Sequence, residues 1–356
     1  MFESIVRRWS RHGTSLAALD AEESALLVGG AVTLAGTSAS FLVAPSLTAY
    51  WFVAFAAILA YGAYAHQGKT AKGMTFVATV STVLILGLIT GYLLVQSIPV
   101  FRYMGVETLY ADGDYWSTSQ GRYSLTPAIW GTFLSTLLAT AIAGPLGIAA
   151  AVFISEIAPP WSRDVTKPAV ETLAGIPSIV YGFIGFVILN GYMQDQFELP
   201  TNGSIVVVGL VVGLMALPTV ASVAEDAISS VPDHVKDGAI AMGATEWQTI
   251  RSVTLPASFS GVSAAVLLGV GRTVGETMAA TVILGNVMEL PEPLYDVFGN
   301  TVTLTSLIAS QYGNAHGTHM QALFAAGVVL FATVLLLSVG AQLIETHMNR
   351  KFGGEL

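Results

Sequence analysis

Apolar residues along the chain gather into eight long runs, near positions 25–44, 49–65, 75–98, 128–154, 169–190, 204–224, 258–284 and 320–345. A helix rising about 1.5 Å per residue needs roughly 17–25 such residues to cross a hydrocarbon core about 30 Å thick. The pattern predicts an all-α polytopic membrane protein with eight spans. It divides into a polar segment over 1–24, an N-terminal transmembrane hairpin over 25–73, a six-span domain over 74–348 and a short tail over 349–356. The second run is the shortest. With Pro45 in the turn before it, that hairpin also suits a place in the interface, which leaves the sidedness of later spans unchanged.

Two of the polar intervals carry structure of their own. Residues 225–257 are too polar to cross and too patterned for a linker, and they predict two short helices. Pro232–Asp233 suits a helix start, Gly243 the left-handed residue beyond a helix end, and Thr245 with Gln248 a capping box. Trp247, Ile250 and Val253 then share a face of the second helix, and Pro256 is expected to stop it. An apolar stripe on such a hairpin suits docking of another protein or return to the membrane surface. The interval 99–127, with Tyr103, Tyr110, Tyr115, Trp116 and Tyr123, is expected to fold outside the bilayer, as interfacial aromatics or as a docking platform.

Within the runs, glycine pairs four apart at Gly87/Gly91, Gly209/Gly213 and Gly271/Gly275 permit close helix contact. Pro145 and Pro177 each remove a backbone hydrogen bond. Gly175, Pro177 and Ser178 together predict a helix break that lines a path, although packing alone also produces such kinks.

Composition agrees with the membrane reading: 53% of residues are hydrophobic and 10% charged, against about 25% charged in ordinary soluble domains. The absence of cysteine excludes disulfides, thiolate metal sites and cysteine catalysis. The first residues lack a signal-peptide core, so no processing is expected. With the N-terminus inside, the cytoplasmic side receives Arg7, Arg8, Arg11, Lys69, Lys72, Arg163, Lys167, Lys236, Arg251, Arg350 and Lys351, and the outside only Arg102 and Arg122. This asymmetry predicts cytoplasmic termini in a cell membrane. The expected outer loops hold Glu107, Asp112, Asp114, Asp195, Glu198, Glu289, Glu292 and Asp296, a negative field that would repel a free anion. An anionic substrate would then arrive on a carrier; general surface acidity is the other reading.

The fourteenth basic residue changes the functional picture. Arg272 is expected near the midplane of the 258–284 span, with Glu276 four residues on and on the same face. A guanidinium does not deprotonate, and at a helix centre it costs about 2.5–3.5 kcal/mol on insertion scales. Such groups mark substrate or ion paths; an ion pair made for packing is the plainer alternative. His316 and His319 lack a third ligand and no metal site is expected; Glu156 and Glu171 read as ordinary solvated carboxylates at span ends.

The interval 225–257 also resembles a known motif. Asp237, Gly238, Ala239, three residues, Gly243, nine residues and Val253-Thr254-Leu255-Pro256 are similar to the EAA loop of ABC importer permeases, with Asp and Gly where that motif has Glu and Ala. Together with 131–159, LAGIPSIVYGFIGF at 173–186 and GRTVGETMAA at 271–280, residues 75–350 resemble the PstC-type permeases of phosphate importers. The resemblance implies a type I permease core of six helices. It also implies a coupling loop (Asp237, Gly238, Ala239, Gly243, Thr245, Trp247, Ile250, Leu255, Pro256) seated on an ATPase, and a phosphate path at Gly271, Arg272, Thr273, Gly275 and Glu276.

It further implies a heterodimer with a PstA-type permease, an ATPase dimer that binds ATP and Mg, and an extracytoplasmic phosphate-binding protein. This chain would hold no cofactor and catalyse nothing, in keeping with the lack of a phosphate-binding P-loop. Beyond these and membrane lipid, no nucleic-acid partner is expected. A sulfate or molybdate importer of the same architecture, or a secondary ion-coupled anion transporter, are the alternatives; the second leaves the 225–257 hairpin unexplained. No role is implied for the N-terminal pair.

Overall fold

The computed structural model describes residues 21–197 and 202–352. The segments 1–20, with Arg7, Arg8 and Arg11, and 198–201, with Glu198, lie outside the described residues, as do residues 353–356 of the expected tail. The chain separates into two compact units, up to Thr90 and from Gly91 onward. In the first unit, helix α1 (Ala21–Val43) and α2 (Pro45–Ala65) pack together, and α3 (Gln67–Met104) begins directly after. The hydroxyls of Thr33 and Thr37 donate to carbonyls four residues back, which lets polar residues sit in an apolar helix. Pro45 opens α2 rather than breaking a span, because the missing N–H at a first turn has no partner to lose. An apolar cavity of about 290 Å³ lies among Leu34, Phe55, Ile58, Met74 and Val77.

The second unit is built on α4 (Thr126–Val152) and α8 (Ile205–Ser229), the most extensively packed pair of helices. Small residues make the contact possible. A Cβ on Gly209 would come within 2.5 Å of Leu138, and one on Gly213 within 3.0 Å of the Ala139 carbonyl; Gly147 lies as tightly against Val220. Helix α12 (Phe259–Val274) joins them, with Gly269 against Val220 and Gly261 against Ala227. Helix α15 (Thr318–Phe352) closes the unit. Before it, α14 (Leu304–Gln311) shares a core with Val100, Leu125 and Leu323.

Among the described residues five helices are long and apolar enough to cross a membrane, and up to seven if each of two bent pairs counts as one span. Helix breaks correct two expected spans. The 169–190 run is not one helix: α5 (Pro160–Ala174) buries none of its residues and meets α6 (Ser178–Ile184) at an 89° bend, after which a π-helical stretch and α7 (Gly191–Phe197) continue. The 258–284 run is not one helix either, since α12 ends at Val274 and α13 (Met278–Ile283) starts after a gap.

Two loops are also shorter than expected. Helix α3 runs through Pro99 to Met104, and the rest of the interval forms a 3₁₀ turn and a small antiparallel hairpin, β1 (Trp116–Ser117) with β2 (Arg122–Tyr123). Trp116 and Tyr123 pack on His319 at ring separations of 5.6 and 5.5 Å, so these aromatics build a core, while Tyr103 and Tyr110 stay exposed. Helix α8 absorbs residues 225–229 of the other interval.

Candidate functional site

The helices that follow the two breaks pack against each other. At the first, Pro177 has no N–H to offer α5 and holds extended backbone, forcing the chain out of the helix after Gly175. The Tyr181 hydroxyl donates back across the gap to the Leu173 carbonyl at 3.1 Å. At the second, α12 ends at Val274 with Gly275 as its cap, and Glu276 and Thr277 separate it from α13. Glu276 there does not continue the helix. Its Oε1 accepts from the Ala279 N–H at 3.1 Å, capping α13, and its carbonyl accepts from Thr305 Oγ1 at 2.7 Å. Helices α6 and α13 then touch through backbone, since a Cβ on Gly182 would lie 2.8 Å from Ala279 Cα. Tyr181 consequently stands within electrostatic range of Arg272. Gly175, Pro177 and Ser178 thus form the break expected of them, next to the segment that carries the charges.

Arg272 sits in the last turn of α12, not at the middle of a long helix, and the expected shared face with Glu276 is lost at the break. Among the described residues it has no ion-pair partner. Gly271, Arg272 and Gly275 are exposed on the chain while Thr273 and Val274 are buried, and among the described residues nothing beyond its own helix lies within 4 Å of a Cβ on Gly271. On the inner side Glu276, Thr132, Ser135, Thr273, Thr303 and Thr305 line a cavity of about 10 Å³. That is room for about one water molecule. Thr303 also caps α14 through a capping box with Ser306, and its hydroxyl lies 3.0 Å from that of Thr305. None of these four hydroxyl positions outside α12 was singled out from the sequence. The Thr303-x-x-Ser306 box was the one readable signal; Thr132 and Ser135 look like ordinary helix residues.

The hairpin has the predicted local chemistry. Helix α9 (Asp233–Ala241) ends in a Schellman motif, with Ala244 N–H donating to Ala239 and Gly243 N–H to Ile240, and Gly243 takes φ +90°, which favours glycine. The Thr245–Gln248 capping box opens α10 (Glu246–Thr249), which continues through a π-helical stretch into α11 (Leu255–Ala257). Pro256 does not end this helix; the chain turns one residue later, by 72° into α12. The apolar stripe is split. Trp247 is 60% exposed, whereas Ile250 is buried in the core below and Leu255 is half-buried against that core. Ile240 and Met242 are exposed, as are Trp247, Asp237 and Gly238.

Beneath the hairpin lie two ion pairs that span 80 and 58 positions of sequence and leave no local signal: Lys236 with Glu156 at 2.7 Å and Lys167 with Glu225 at 2.6 Å. Glu156 is therefore a shielded, paired carboxylate rather than a solvated one, whereas Glu171 is exposed. The Glu225 carboxylate holds the Lys167 ammonium above its ordinary range, against the opposing pull of desolvation.

Residues 143–352 match the family model of the binding-protein-dependent transport system inner membrane component. A probable ABC transporter permease, YqgH of Bacillus subtilis, is 42% identical over 55% of this chain and 62% of its own length, so this match spans less than two thirds of that relative. The phosphate transport system permease protein PstC of Haemophilus influenzae is 33% identical over 67% of the chain and 81% of its own length. In fold the chain is similar to a bacterial alginate ABC transporter, at 16% identity and TM-score 0.53, over 81% of this chain and 98% of that one. The matched segment covers α12, the hairpin and both breaks, and the chain belongs to the binding-protein-dependent transport system inner membrane components, among the PstC-type permeases of ABC importers.

Proposed function

We propose that this chain is one of two permease subunits forming the translocation path of an ATP-driven inorganic phosphate importer. Its partners in this reading are a PstA-type permease, an ATPase dimer that binds ATP and Mg, and an extracytoplasmic phosphate-binding protein. The termini are cytoplasmic, as the basic residues of the loops require, and the hairpin with Trp247, Met242 and Asp237 faces the ATPase.

The observation that carries the reading is the Arg272 guanidinium, without an ion-pair partner among the described residues, at the end of a broken helix and exposed on the chain. A permanent cation in an otherwise apolar run needs a counter-charge, and a transient oxyanion supplies one. The planar donor fork suits a tetrahedral oxyanion better than a lysine point charge. Glu276 then has a selectivity role. Its Oε1 is engaged by Ala279, while its Oε2 has no hydrogen-bond partner among the described residues and can accept the proton of monohydrogen phosphate. Sulfate carries no such proton and meets repulsion.

The test is uptake by the purified complex in vesicles with its binding protein. Phosphate should drive ATP hydrolysis and transport, and a large excess of sulfate should not compete. Strong sulfate competition would transfer the reading to a sulfate-type importer; transport by this chain without any ATPase would end it. Glu276→Gln should relax discrimination against sulfate, and unchanged discrimination would restrict Glu276 to capping α13.

A further inference from the structure

Helix α9, the first arm of the hairpin, is attached to the rest of the protein by little. It buries no residue, and only Lys236 and Ala239 are even half-buried. Lys236 reaches Glu156 in the π-helical turn Phe153–Ile157 that ends α4, with side chains 16% and 11% exposed. The same carboxylate oxygen accepts from Ser155 Oγ at 3.2 Å, and Arg163 Nη2 donates to the Ser155 carbonyl at 2.6 Å, so the turn is braced from the next helix as well. Removing two charges from water costs about what their attraction returns, and an apolar pair would stabilise as well. What a shielded, hydrogen-bonded pair adds is a fixed register between the parts that it joins.

We infer that Lys236–Glu156 is a strut that makes the coupling hairpin and α4 move as one body. Helix α4 is continuous from Thr126 to Val152 and carries Thr132 and Ser135, which line the cavity beside Glu276. From Ser135 to Glu156 is roughly 30 Å along the axis at 1.5 Å per residue. A push on the hairpin is thereby delivered to the wall of the charged site without passing through the bend between α11 and α12. Lys236 and Glu156 are positioning residues: they touch neither substrate nor nucleotide. The inference rests on the reading of the chain as an ATP-driven permease subunit, not on phosphate being its substrate.

The chain has no cysteine, so spin labels can be placed uniquely at Met242→Cys on the hairpin tip and Leu146→Cys on α4, both exposed. In the assembled complex the label distance should be the same without nucleotide and with ATP. In Glu156→Gln it should shift or broaden on ATP binding, while uptake falls about tenfold, within the range of coupling energies between distant sites, and ATP hydrolysis persists. The exchange Glu156→Lys with Lys236→Glu should restore uptake. A parent complex whose labels move apart on ATP binding overturns the strut, as does a Glu156→Gln complex that couples normally. Should Glu156→Gln fail to assemble, the parent distance decides alone. Because ATP is the trigger, a complex that carries another oxyanion refutes the phosphate reading and leaves this result standing.

Discussion

Two regions of the second unit treat their cations in opposite ways. Beneath the hairpin, Lys236 and Lys167 are each held by a carboxylate from a distant helix at 2.7 and 2.6 Å. At the helix breaks Arg272 has no partner within the described residues, although Glu276 is only four positions on and is turned instead to cap α13. In the proposed reading, the difference separates a part that is to be rigid from a part that is to receive something. Ion pairs that close within the chain join elements, whereas a cation left open on a face that the chain does not cover is free to meet a ligand or a neighbouring chain.

The contrast breaks most sharply at Arg272. Arg272→Gln should lower uptake by about a hundredfold or more, the loss of a charge-assisted bidentate contact in a low-dielectric path, while the subunits still co-purify. Arg272→Lys should retain part of the activity, and full activity would show that charge alone suffices. Next in size is Glu225→Gln. It removes the shielded member of the other pair, and with Lys167 some 40% exposed the cost should be about 1–2 kcal/mol, read as a lower Tm of the detergent-solubilised complex.

Glycine pairs sharpen the same distinction between closed and open surfaces. Gly209→Ala drives a methyl into Leu138 and should destabilise the chain by about 1–3 kcal/mol. Gly271→Ala meets nothing beyond its own helix among the described residues, so thermal stability of the chain should hold while co-purification with the partner permease falls. An equal loss of stability in both would show that the Gly271 face is an internal one. The smallest effect is expected at the cap: Thr245→Ala should cost the hairpin about 1 kcal/mol and slow uptake a few-fold, with assembly intact.

Local chemistry was legible along the chain wherever it was carried by neighbours in sequence. The Gly243 turn, the Thr245–Gln248 box and the break after Gly175 all follow from residues within one turn of each other, and each is present. The same kind of reading failed at Gly275, because glycine between apolar residues is tolerated in a membrane helix as often as it ends one; what ends this one is the Thr305 hydroxyl and the capping Glu276 carboxylate. It failed at Ile250 for a related reason. Helical spacing places Trp247, Ile250 and Val253 on one face, but which part of that face meets protein depends on the packing of α4, α8 and α12 beneath it.

What the sequence determined by itself is the medium and the capacity: apolar runs of membrane length, an arginine that cannot shed its charge within one of them, and a polar hairpin too regular to be a linker. These follow from side-chain transfer energies and backbone preferences, which act over a few residues. Only the tertiary structure decided which charges are spent inside the chain and which remain open. Pairing depends on atoms 58 or 80 positions apart reaching hydrogen-bond distance, and no local preference encodes that.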